Sequence, residues 1–139
     1  MYCSAQDMID RFGERELIEL TDRDHTGVVD QTVIRQAIQD ATAEVDGYLA
    51  GRYQLPLSQP PLVLVRVCCD IARFLLYDDN LPEVVEKRHK SVVDLLRQVS
   101  SGRVSLGVSE TGQAPTSSDG ARIESGGSVW SRRNSKGFL

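Results

Sequence analysis

Asp22, Asp24, Thr26 and Asp30 stand at the first, third, fifth and ninth positions of an EF-hand-like loop, with Gly27 at the sixth, where the chain must turn sharply without a Cβ. These are oxygen donors at the spacing a hard divalent cation requires, so they are the first chemistry to weigh. The pattern breaks at its most demanding place. The twelfth position, which needs a bidentate glutamate, is Val33, and no second loop pairs with this one. Thr26 is also a weaker ligand than Asp or Asn. Asp22, Asp24, Thr26, Asp30 and the carbonyl of Val28 would hold at most a low-affinity ion completed by water. The same residues fit better as an Asx-type turn whose carboxylates accept local amides and cap the following helix.

Nucleophilic and acid–base chemistry find less. His25 lies in this loop and His89 in a polar run, "EKRHK", and both read as solvated surface residues. Neither has Cys/His metal spacing, a nucleophile elbow or a glycine-rich phosphate cradle nearby. The carboxylates of "ERELIEL" and "QDATAEVDG" are spread around helices as on solvated faces, so no general acid–base pair is picked out. The expectation is no enzyme and no cofactor. Cys3, Cys68 and Cys69 are odd in number, with two adjacent, which suits buried small apolar residues better than a disulfide framework.

The elements that would position these residues are helical. Ser4 can cap a short helix that Gly13 ends, and "ERELIEL" forms a second. After Asp30 as N-cap, Val33, Ile34, Ala37, Ile38, Ala41, Val45, Tyr48 and Leu49 step by three and four, predicting one long amphipathic helix. Pro56, Pro60 and Pro61 force a crossing loop. The stretch "PLVLVRVCCDIARFLLYDD" follows, with Pro61 in its first turn and an apolar surface nearly all round, as suits the centre of a bundle. Its only charges in the helix body, Arg66, Asp70 and Arg73, are spaced by four and three. They can pair internally or face another subunit, which makes them the candidate oligomer interface. A last helix runs from about Pro82, with Asn80 as its cap, to Gly102, on a stripe of Val85, Val92, Leu95, Leu96 and Val99. The fold class expected is all-α: a small helical bundle of three main helices plus short N-terminal helices.

Composition changes near Gly107. Residues 1–107 read as the folded body and residues 108–139 as an extended Ser/Gly-rich tail, too polar to offset the entropy of ordering it alone. The tail ends in "SVWSRRNSKGFL", where Trp130 and Phe138 lie among Arg132, Arg133 and Lys136. Aromatic side chains beside arginine are common interface anchors, so Trp130, Arg132, Arg133 and Phe138 are the expected docking residues for another chain. With 139 residues, 40% hydrophobic and 26% charged, the chain has the make-up of one globular domain. No apolar run approaches the roughly 18 to 20 residues a membrane span needs, and no leader segment is evident, which implies a cytosolic site of synthesis. The first 46 residues carry eleven acids against four bases. Such a face repels phosphate backbones rather than gripping them.

Several stretches taken together resemble a known family. The opening "MY" before a helix ending "RFGE", the "LTDRD" loop, "AEVDGYLAGRYQLPL" and "DIARFLLYDD" are similar to the Mu-like prophage family of small virion proteins, related to tailed-phage head-tail adaptors. The resemblance covers about residues 1–107, and "SRRNSKGF" near the end shares it. It implies a head-tail connector in the neck of the virion, made in the bacterial host cytoplasm. Such proteins form a homo-oligomeric ring, commonly a dodecamer, between the portal protein and tail or neck proteins, with DNA passing through the lumen without specific binding. Relatives tend to carry a fuller "DRDGDG" loop, where this chain has His25 and Thr26. The competing reading is a small cytosolic helical binding module with a degenerate ion loop.

Overall fold

The computed structural model describes residues 1–107. They form five helices: α1 (Ala5–Phe12), α2 (Glu14–Thr21), α3 (Gln31–Leu49), α4 (Val63–Leu76) and α5 (Glu83–Ser101). The described residues contain no strand, and the all-α bundle is the observed fold. Trp130, Arg132, Arg133 and Phe138 lie outside the described residues.

Each helix begins where local chemistry favours it. Ser4 Oγ accepts the Asp7 amide at 3.1 Å while the Asp7 carboxylate accepts the Ser4 amide at 2.9 Å, a reciprocal capping box. Gly13, at φ 91°, both ends α1 and starts α2, in a backbone conformation that residues with a Cβ rarely adopt. Asp30 caps α3 by accepting the amides of Thr32 and Val33 at 2.9 and 3.2 Å. The start of α5 differs from the sequence expectation. Its N-cap is Pro82, which makes no side-chain cap, while Asn80 turns the chain two residues earlier at φ 50°. Pro82 wins because its fixed φ already suits a helix entrance, and Glu83 and Glu86 then lie at the positive end of the dipole. The central helix, α4, likewise begins at Val63, after the two prolines rather than on Pro61.

Helices α3, α4 and α5 make the bundle. The main contact is α3 on α4, with α5 against both, α1 across α3 and α4, and α2 on α1. The inward stripe of α3 is Ile34, Ala37, Ile38, Ala41, Val45 and Leu49, all buried. From α4 come Leu64, Val67, Cys68, Cys69, Ile71, Ala72 and Leu76, and from α5 Val85, Val92, Leu96 and Val99. Each Leu, Ile or Val so placed contributes about 1.5–3 kcal/mol of hydrophobic free energy. The crossing loop is anchored by buried Tyr53 and Leu57. The chain leaves α5 at Gly102, in left-handed backbone, and returns so that the Leu106 amide donates to the Tyr53 hydroxyl at 3.2 Å. No described helix is long and apolar enough to cross a membrane.

Candidate functional site

The charged stripe of α4 is divided by the packing. Arg73, expected to flank Asp70, instead reaches α2, where its Nε and Nη2 donate to the two oxygens of Glu16 at 2.7 and 2.9 Å. The Tyr77 hydroxyl donates to the same carboxylate at 3.2 Å, and the guanidinium lies 4.4 Å over the Phe12 ring. Only 13% of the Arg73 side chain is exposed. Glu16 holds the guanidinium above its ordinary range against the opposing effect of burial. This clasp ties the α1–α2 pair to α4 by a planar, bidentate match that lysine could not reproduce.

Asp70 takes other partners. Among the described residues it is one of two buried polar side chains, with Arg66 at 3.7 Å and Arg88 of α5 at 4.0 Å. Burial pushes its carboxyl up, opposed by Arg88 and then Arg66. The two arginine side chains are about half exposed. Together with Arg11, Phe12 and Ser91 they line a concave cup of about 400 Å³ with Asp70 at its floor. The cup is cationic at the rim, with one carboxylate beneath several arginines. Arg11 and Arg88, which sequence reasoning missed, come from α1 and α5, and no spacing along one helix could reveal them.

The acidic loop is occupied by its own backbone. Asp22 accepts the Thr26 amide at 2.8 Å, the Thr26 hydroxyl at 3.0 Å and the Gly27 amide at 2.7 Å. These donors, Thr26 foremost, hold its carboxyl below the usual range. His25 and Gly27 supply the positive-φ backbone the turn needs, at 57° and 83°. Thr21 closes the base, its hydroxyl donating to the Leu17 carbonyl and accepting the Asp30 amide. Asp24 points to solvent and Asp30 serves the N-terminus of α3. Among the described residues no three His, Cys, Asp or Glu side chains are grouped to share a metal ion.

His89, expected in solvent, is instead stacked on Phe74 with ring centroids 3.7 Å apart and planes within 9°, 3.9 Å from Glu44. The flat imidazole fits the ring face that α4 presents to α5. Cys3 brings its thiol 3.2 Å from Cys68, joining the N-terminal segment to α4 in the core. The Tyr2 hydroxyl donates to Asp46 on α3, and burial, followed by that bond, pushes the phenol well above its normal range.

Fold and site together define a small helical-bundle protein whose helices are tied by polar contacts such as Arg73 with Glu16, with a cationic cup open at the surface. The chain belongs to the family described as bacteriophage Mu gp36, whose pattern it matches over residues 2–125. It is similar to the Mu-like prophage FluMu protein gp36 of Haemophilus influenzae, 35% identical over 139 residues, which span all of this chain and 99% of the relative. It is also similar to gene product J of Escherichia phage Mu, 36% identical over 140 residues that cover 99% of each.

Proposed function

We propose that this chain is a structural protein of the virion, a head-tail adaptor that assembles as a ring between portal and tail with DNA passing through the lumen. The carrying observation is full-length membership of the phage Mu gp36 family. The arrangement of charge supports it. Arg66 and Arg88 sit half exposed above a buried Asp70, whereas the first 46 residues hold eleven acids against four bases. A cationic cup and an acidic first half are complementary parts for a heterologous interface, in which one face of each copy meets a different face of the next. Acids left facing the lumen would spare DNA the phosphate contacts and counterion release that make it stick. Arg73 belongs to the protomer, so Arg66, Arg88 and Arg11 take the interface role with Asp70 as their fixed centre.

The tail residues Trp130, Arg132, Arg133 and Phe138 complete the proposal as the anchor on an adjoining subunit, portal or neck protein. Light scattering and negative-stain imaging of the purified chain, alone and with its cognate portal, provide the test. Rings are the expected result, and Arg66→Glu with Arg88→Glu should dissolve them while leaving helix content unchanged. Deleting residues 108–139 should likewise keep the helices and abolish assembly. A chain that stays solitary beside its portal would sink the adaptor reading. In that event calorimetry with Ca²⁺ examines the rival, an ion-gated helical module, against which stand the three local donors that Asp22 already accepts.

A further inference from the structure

A groove of about 310 Å³ opens on the side of the bundle away from the crossing loop, between the first half of α3 and the end of α4. Val33, Ala37, Leu75 and Leu76 give it apolar walls, with Asp40 and Arg23 at the rim. Leu75 is 40% exposed, a large apolar side chain left uncovered at the lip. The volume is at the lower end of the roughly 300–1,000 Å³ of small-molecule pockets, a size suited to one large aromatic side chain.

We infer that, before the tail anchors on another subunit, this groove is the seat of Trp130 from the same chain. Trp130 is the sole tryptophan of the sequence, and Arg132 and Arg133 follow it closely enough to meet the Asp40 carboxylate at the rim. The described chain ends beside Tyr53, beyond the C-terminal end of α3, where the Leu106 amide meets the Tyr53 hydroxyl. From Leu49 back to Ala37 is twelve helical residues, about 18 Å along the axis. Between Gly107 and Trp130 lie 22 residues, whose extended reach is roughly 73 Å. The tail is therefore long enough to run the length of the bundle and enter the groove. Covalent tethering gives the aromatic side chain a high effective concentration there, against which a separate copy must compete. Docking also removes an exposed tryptophan, an association hazard before assembly. The inference rests on residues 108–139 being a docking segment and not on the ring.

The test uses the full-length chain, in which intrinsic fluorescence reports on Trp130 alone. In dilute protein the emission should be blue-shifted and poorly quenched by acrylamide, without change over a hundredfold dilution. Leu75→Asp should red-shift the emission and raise quenching several-fold with helical circular dichroism unchanged. Deleting residues 108–127 leaves the groove intact but only about 10 Å of chain before Trp130, so it should give the same red shift. Solvent-like emission in the wild type overturns the inference, as does a blue shift that survives both variants. A blue shift lost on dilution assigns the seat to a second copy and overturns it too. Ring formation is scored separately by light scattering, so failure of the groove and failure of the adaptor are distinct results.

Discussion

Replacing Arg73 with methionine should be the most damaging single change in the polar framework. Methionine retains an unbranched stem of similar reach but has no donor, so both oxygens of Glu16 lose the bonds they now accept at 2.7 and 2.9 Å. Hydrogen bonds to a charged group contribute about 1.5–3 kcal/mol each when sheltered. Glu16 is 23% exposed, so water recovers part of this and the two together come to about 2–3 kcal/mol. The lost stacking over Phe12 adds about 0.5–1 kcal/mol. A total near 3 kcal/mol corresponds to a fall of about 12–20 °C in melting temperature for a body of this size. Urea unfolding followed by circular dichroism should show a lower midpoint with an unchanged slope. Glu16→Gln alone should cost about 1–2 kcal/mol, and the Glu16→Gln, Arg73→Met pair less than the sum by about 1.5 kcal/mol. If Arg73→Met stays within about 1 kcal/mol of the parent, or the coupling is below about 0.5 kcal/mol, the clasp is not what holds α2 to the bundle.

Asp70→Asn should raise the unfolding midpoint at neutral pH, because burial has lifted the folded pKa of Asp70 above its unfolded value. The penalty of ionising it is fully present above the folded pKa and fades as pH falls toward the unfolded one, so the variant's advantage should shrink with acid. A midpoint lowered by the substitution would refute this. For Asp22, whose carboxyl is held low, the turn should persist above the ordinary carboxylate range and open only as pH falls through its own pKa. The amide proton shifts of Thr26 and Gly27 follow that step by NMR, and Asp22→Ala should abolish it. Gly102→Ala should cost about 1–2 kcal/mol in urea unfolding, since the residue sits at φ 87° and a Cβ would come within 2.5 Å of the Arg52 guanidinium. His89→Ala should lower stability by about 1 kcal/mol through the lost stacking on Phe74, where a solvated histidine would have no effect.

What the sequence determined by itself is local. The five helices follow from apolar spacing and from caps such as Ser4 with Asp7 and Asp30 with Thr32, all within one turn of each other. The acidic turn follows in the same way, since Asp22 meets donors only four and five residues away. Even where Asn80 gave way to Pro82, the competing signals lay two residues apart. The division of the α4 charges was beyond such reasoning. Arg66 and Arg73 are both a short step from Asp70 along the helix, yet Arg73 bonds Glu16, 57 residues away, and Asp70 takes Arg88 from α5. Cys3 on Cys68 and His89 on Phe74 are decided in the same manner. Spacing shows which residues share a face of one helix, but not the neighbour that face meets. That choice comes from packing three apolar stripes at once, which sets the rotation of each helix and so the partners of its charges.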